Sequence, residues 1–312
     1  MTVTHLAASA STARMADGTI LRTLTWSPET DPWAAALVVH GLGEHAGWYG
    51  NVAAALVAAG IVTHGYDHRG FGGSAGPRAY VDRWARYHDD LEERLLALRS
   101  ERPDLPIVMY AHSMGGLIAA GYVLAERARP LPDRLILSAP GLDSTVPDWK
   151  RRLASMLTNV LPRMRIANGL SDDGLTCDPT VTAAVAADTL RVRTSTVRLG
   201  AEAFREQARV GAAIAGIDRM PVPTYVLHGS ADPIVPVSAS ADLGGKGNVT
   251  RRVHDGLRYE CHNEPQHAAV LAGVVAWIEA TLGRVANPRV SDDTGTAAGP
   301  AASPPGMPAA AV

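Results

Sequence analysis

Cysteine is nearly missing from this chain: Cys177 and Cys261 are the whole supply, and they lie far apart in sequence. Two thiols make no disulfide framework, so the fold must stand on its hydrophobic core, and the usage suits a reducing cytoplasm. Aromatic residues are also scarce, with two Phe and six Trp in 312 residues, so any greasy tunnel would be lined mainly by aliphatic side chains and Met. No run of eighteen apolar residues occurs, and no membrane span is expected. The first residues, "MTVTHLAASASTARMADG", hold no basic stretch leading into an apolar run of signal-peptide length. Neither sign of charge is in excess: 29 basic and 31 acidic residues leave −2, with no basic tract. Nucleic acid is therefore not an expected partner. The dinucleotide fingerprint G-x-G-x-x-G is missing, because Gly41-Leu42-Gly43 runs on into Glu44-His45-Ala46, and an acidic loop suits a pyrophosphate poorly. No clustered metal ligands stand out either, since "DHRG" at 67–70 has no partner at ligand spacing. The expectation is a cytoplasmic protein without cofactor or metal. Nothing in the sequence reports on oligomeric state.

What is present is an alternation. "MADGTILRTLTW" (15–26) has a D-G turn between short alternating runs and predicts an opening hairpin. Apolar runs at 34–40, 61–67, 107–112, 133–140, 222–229 and 248–256 predict strands. Between and after them, 51–60, 81–102, 113–129 and 265–282 predict helices. Such β-α alternation implies an α/β domain with a mostly parallel sheet covered on both faces. The stretch 143–217 breaks the rhythm: it shows helical signals and no convincing strand, and it sits between two sheet strands. The last residues, 286–312, are rich in Ala, Pro and Gly and read as a disordered tail. There is no internal repeat.

"PIVMYAHSMGGLIAAGY" (106–122) predicts a buried strand running into a helix with Ser113 at the corner. A nucleophile at the end of a parallel strand needs a sharp turn, with small residues two positions to either side. Ala111 adds one methyl where glycine is usual, and Gly115 and Gly116 keep the helix side open. A serine hydroxyl also needs a base, and the base an orienting acid. In folds of this type the chain order is Ser, then Asp or Glu, then His. "LHGSADPIVP" (227–236) places Asp232 in the loop after a strand, and "YECHNEPQH" (259–267) places His262 after the last strand. His254, Asp255 and His267 are rivals that read as surface residues, and Cys261 reads as packing. Oxyanion stabilisation calls for two amides. The Met114 amide follows the nucleophile, and the Leu42 amide sits in the glycine-rich loop "HGLGEH" (40–45).

Taken together, "HGLGEH", "YDHRGFGGS", "AHSMGG", "HGSADPIVP" and "CHNEP" resemble the monoacylglycerol lipase and lysophospholipase branch of the serine α/β-hydrolases, over about residues 17–282. The resemblance implies an α/β-hydrolase fold with a helical cap inserted after the sixth strand. The core would be 1–142 and 218–285, the cap 143–217, and the tail 286–312. It further implies Ser113, Asp232 and His262 as a catalytic triad, Leu42 and Met114 as the oxyanion hole, and "DHRGFGGS" as structural support. The implied reaction is hydrolysis of a small carboxylic ester, a monoacylglycerol above all. Transfer of the same acyl group to another acceptor is an alternative, and so, from a different class, is a non-catalytic ligand-binding role. "WKRRLASMLTNVLPRMRIANGL" (149–170) mixes arginines with Leu, Met, Val and Ile in an amphipathic pattern. It suits either contact with a lipid surface or packing on the core.

Overall fold

A computed structural model of the chain describes residues 7–284; the tail 286–312 lies outside them. Ten strands and nine α-helices are present among the described residues. The strands are β1 Ser9–Arg14, β2 Ile20–Trp26, β3 Ala34–Val39, β4 Ile61–Tyr66, β5 Ile107–His112, β6 Arg134–Ser138, β7 Arg165–Ala167, β8 Thr194–Thr196, β9 Arg219–Gly229 and β10 Gly247–His254. The helices are α1 Gly50–Ala58, α2 Ala85–Glu101, α3 Met114–Val123, α4 Asp148–Leu157, α5 Asp172–Leu175, α6 Pro179–Ala187, α7 Val197–Ala215, α8 Ala241–Gly244 and α9 His267–Thr281.

Eight strands form one sheet in the order β1-β2-β4-β3-β5-β6-β9-β10. The pairs from β4 onward are parallel, and the two at the β1–β2–β4 end are antiparallel. The continuous apolar runs of β3 and β5 follow from burial on both faces. Ala35, Leu37 and Val39 of β3 pack with Ile107, Met109 and Ala111 of β5 on the side of α2, α3 and α7. Ala34, Ala36 and Val38 pack with Val108 and Tyr110 on the side of α1 and α9. Each strand thus feeds both layers of the core, and the side-chain period of two decides which.

The expected hairpin is present, shifted toward the N-terminus: β1 begins at Ser9 and the turn falls at 15–19. The helix after Ser113 stops at Val123, short of the expected 129. The expectation that 143–217 lacks strands is corrected, because β7 and β8 pair antiparallel in a small second sheet. Both are three residues long and hold a surface strap together, too short to show a pattern in sequence. The rest of the segment between β6 and β9 is helical, α4 to α7.

The corner at Ser113 depends on close approach. Gly115 lies so near the end of β3 that a Cβ there would collide with the Val39 carbonyl oxygen and meet the His40 oxygen at 2.6 Å. On Gly116 the added carbon would stand 2.9 Å from Pro140. Gly200, in α7, has open space around it. Gly115→Ala is expected to lower unfolding stability by about 1–3 kcal/mol, as overpacking does. Gly200→Ala should raise it by up to about 1 kcal/mol through helix propensity. Urea titrations of both variants against the parent protein check the pair of signs.

Candidate active site

Ser113 occupies the left-handed region, at φ 52° and ψ −117°, between the end of β5 and the first turn of α3. A non-glycine residue held there stores strain that its surroundings must balance. Those surroundings are visible: the Ser113 amide donates to the Ser138 carbonyl at 3.0 Å, and the Ser113 carbonyl accepts from Gly141 at 2.9 Å and Leu117 at 3.0 Å. The side chain is left at the C-terminal edge of the parallel sheet, and the Met114 amide begins a helix beside it.

The facing loop comes from the end of β3. Gly43 adopts φ +80° and lies against the Val192 carbonyl, where a Cβ would sit 2.6 Å away. The Gly41 amide donates to the Glu44 carboxyl at 3.0 Å and approaches the Tyr49 hydroxyl at 3.2 Å, so the loop folds back on itself. Leu42 stands between these two glycines, half-buried, with its amide bonded to no acceptor among the described residues. Below it, His40 Nε2 accepts from the His68 amide at 2.8 Å, which fixes the tautomer so that Nδ1–H donates to the Gly41 carbonyl at 2.8 Å. The Asp67 carboxylate accepts from the Ala46 and Gly73 amides, both at 2.8 Å, and from Arg22 at 3.2 Å. Gly72, at φ +47°, leaves no room for a side chain beside that carboxylate. "DHRGFGGS" thus braces the loop 40–46 through Asp67 and His68.

Asp232 is fully buried in the loop after β9. One of its oxygens accepts from the amides of Ile234 (2.8 Å) and Val235 (2.9 Å). The other faces His228 Nε2 at 3.1 Å. His262 is not brought to it. The short turn Cys261–Asn263 carries His262 under α1, where Asn51 reaches its carbonyl. The imidazole stacks on Tyr49 (centroids 5.1 Å, 15°) and meets the His112 ring edge-on at 4.9 Å. Its Nδ1 is buried without a partner, and burial holds its pKa at about 3. The hydrogen-bonded relay expected from Ser113, His262 and Asp232 is therefore corrected: the imidazole lies on the layer of Tyr49 and Tyr110 and bonds neither residue. His254 is half-buried, Asp255 is exposed and accepts from Ser230, and His267 bonds the Glu264 carbonyl, so no rival takes the place. Cys261 is a buried packing residue on the α1–α9 side of the sheet, and burial pushes its thiol up to about 12.

Sequence reasoning missed a polar cluster under the oxyanion loop. Glu44, His112 and Glu260 bring ligand-type atoms within 4.8 Å of one another, all buried. Burial, with the Glu260 charge next, holds the Glu44 carboxyl well above the usual carboxylate range, and burial does the same to Glu260. The partners of the two carboxyls lie outside the cluster: Glu44 accepts from the Gly41 amide and the Tyr49 hydroxyl, and Glu260 accepts from the Asn263 side chain. Its members are far apart in sequence, so no spacing signals it. Elsewhere, a cavity of about 320 Å³ opens among Leu142, Arg151, Gln207, Ile214 and Leu243. Its walls include neither Ser113 nor Asp232, so it is not where an acyl group would be attacked.

The comparisons fall into line with this geometry. The family described as serine aminopeptidase, S33, matches residues 30–266. The chain belongs to that family. It is 32% identical over 272 residues to a monoacylglycerol lipase of Mycolicibacterium smegmatis, covering 82% of this chain and 92% of that one. It is 28% identical to the human monoglyceride lipase, covering 80% and 82%. Among solved structures, a soluble variant of Saccharomyces cerevisiae monoglyceride lipase in complex with a substrate analog superposes with a TM-score of 0.79 at 21% identity, over 90% and 97% of the two chains. The fold is thus that of the α/β-hydrolases, and the relatives group the chain with the carboxylic ester hydrolases of the monoglyceride lipase type.

Buried histidines set the acid limit of this site. Burial holds His40 and His262 at about 3 and His64 at about 4, and it holds His68 and His112 well below the ordinary range. Below about pH 6.5 the unfolded chain binds protons that these rings refuse, so stability is lost as pH falls. Glu44 and Glu260 act with the opposite sign: they keep protons that the unfolded chain gives up above about 4.5, so their share declines as pH rises. The histidines outnumber them. Unfolding free energy should fall from pH 7.5 to 5.5 by about 1.4 kcal/mol per pH unit for each net proton. Urea midpoints across that range check the sign.

Proposed function

We propose that the protein hydrolyses small carboxylic monoesters, monoacylglycerols foremost, through an acyl-enzyme on Ser113. The observation that carries the reading is the strained Ser113 backbone at the strand–helix corner, within a chain of this family. Such strain is kept where it aims a group. Attack by Ser113 Oγ on the carbonyl carbon forms a C–O bond, releases the hydroxyl proton and moves the carbonyl electron pair onto its oxygen, giving a tetrahedral adduct. The Met114 and Leu42 amides are the two donors suited to that charge. Expulsion of the alcohol leaves the acyl group on Ser113, and water releases the acid. Asp232 is the acid of the site, held by two amides in a geometry suited to orienting a base. His262 is not carried into this reading, because its ring is stacked away from both partners.

Residues 143–217 serve in this reading as the cap. The cap is tied to the oxyanion loop: Asp188 meets His45 at 2.7 Å, and the Val192 amide donates to the Gly43 carbonyl at 2.9 Å. Its outer surface has an unusual character. α4 buries none of its residues, and Trp149 (63% exposed), Met156 (71%) and Val160 (75%) stand in water beside Lys150, Arg152 and Arg163. An exposed apolar stripe flanked by cations fits the interface of an anionic lipid surface. No described helix is long and apolar enough to cross a membrane. The cap would deliver esters from lipid to a cytoplasmic enzyme that touches the membrane peripherally.

Ser113→Ala is expected to abolish turnover of p-nitrophenyl butyrate and of a monoacylglycerol; substantial activity in the purified, folded variant would overturn the assignment. The double change Trp149→Glu and Met156→Glu is expected to prevent co-sedimentation with vesicles containing phosphatidylserine. Equal pelleting of the variant and the parent protein would remove the cap from lipid contact.

A further inference from the structure

Tyr259 is packed against the Ser113 corner. The loop leaving β10 is pinned to the Asp232 loop, since the Ala231 amide donates to the Leu257 carbonyl at 2.9 Å and the Ser230 amide to the His254 carbonyl at 2.9 Å. Two residues beyond Leu257, Tyr259 turns inward and is fully buried. It packs with Ala139, which follows β6 next to the Ser113 corner, with Val235 of the Asp232 loop, and with Leu175 and Val185 of the cap segment. Its ring meets His112, the neighbour of Ser113, at 4.5 Å between centroids. The hydroxyl faces Ser113 within reach of the Asp232 charge, yet no hydrogen bond to it is completed.

Resting on the reading of Ser113 as nucleophile, we propose that Tyr259, and not His262, is the residue that faces the reacting ester beside Ser113, and that it holds turnover low by occupying the position of the base. The chemistry follows from what a phenol can do. When Ser113 Oγ bonds to the carbonyl carbon, the carbonyl electron pair moves to oxygen and the Ser113 proton must leave. Burial raises the Tyr259 phenol well above its ordinary range, so near neutral pH it is a neutral donor and accepts no proton. The proton therefore passes to water or hydroxide. When the tetrahedral adduct collapses, the ester C–O bond breaks, and the departing alcohol takes its proton from water. Esters with good leaving groups tolerate this, and alkyl esters react slowly. His262 is no substitute in the folded protein, because its ring is stacked between Tyr49 and His112 with Nδ1 enclosed.

The test is Tyr259→His in the full chain, with Ser113→Ala made in both backgrounds. A positioned general base contributes about a hundred- to ten-thousandfold. Tyr259→His should therefore raise kcat/KM for p-nitrophenyl butyrate about a hundredfold or more, and more still for a monoacylglycerol. The pH profile should gain an inflection near the ordinary imidazole value of about 6.5, where the parent rises with hydroxide alone. His262→Phe, which keeps a ring against Tyr49, should leave the parent rate within about tenfold, well short of the roughly hundredfold or more that loss of a positioned general base costs. If Tyr259→His folds poorly, Tyr259→Ala should respond to added imidazole with a saturable gain that the parent lacks. The proposal is overturned if folded His262→Phe loses turnover, or if Tyr259→His brings no gain and Tyr259→Ala ignores imidazole. Activity that survives Ser113→Ala in both backgrounds would bring down the nucleophile assignment and the proposal with it, whereas an inactive Ser113→Ala with the failures just named overturns the role of Tyr259 alone.

Discussion

The contact between the first turn of α3 and the carbonyl end of β3 is the constraint on which the rest depends. Gly115 lets the helix start against the Val39 and His40 oxygens, and that approach decides where Ser113 and the Met114 amide point. The same His40 is locked through its ring to His68 and Gly41, so the loop 40–45 and the Ser113 corner are two sides of one packed joint. A strained φ at Ser113 survives because hydrogen bonds from Gly141 and Leu117 and to Ser138 over-determine it. Loosening any of these would let the corner relax before it touched the chemistry.

Much of the fold was legible, for a physical reason. Strands buried on both faces must be apolar throughout, so the runs at 34–40, 61–67 and 107–112 announced themselves, as did helices closed by residues such as Gly60 at φ +78°. What escaped was set by tertiary contact alone. β7 and β8 are three residues each and exist because the cap segment doubles back on itself. The helix after Ser113 reads as continuous to 129, yet the chain leaves it at Val123 and the Tyr122 hydroxyl bonds the Pro130 carbonyl across the returning loop.

The sequence placed Ser113, Asp232 and the loop 40–45 each just beyond a strand end, and the structure has them there, after β5, β9 and β3. His262 failed for a reason of geometry. Chain order places a residue on the right loop but not on the right side of it. Within a tight turn, residues three apart can face different layers. Tyr259 looks toward the Ser113 edge with Ala139 and Val235, and His262 looks toward Tyr49 and Tyr110 on the far layer. A histidine in the expected order is a strong signal only when the loop is long and free. Here Leu257, Glu260 and Asn263 are all tied by backbone bonds, to Ala231, Leu175 and Glu260 in turn.

The carboxyl pair beneath the oxyanion loop shows why the interior of such a site must be kept neutral. Glu44 grips the Gly41 amide through one oxygen, and its other oxygen is buried without a partner, near Glu260. Were both carboxyls ionised, their charge would lie in the same low-dielectric volume as a developing oxyanion. Like charges a few ångströms apart there oppose one another far more strongly than in water. Burial works against this by raising both groups, so that each carboxyl resists ionisation more than it would in water. The histidines around it are kept neutral by the same burial. Tyr259 continues the pattern: the surroundings of Ser113 are polar and closely packed, with the side chains of Tyr259, His112 and Asp232 all drawn into the interior.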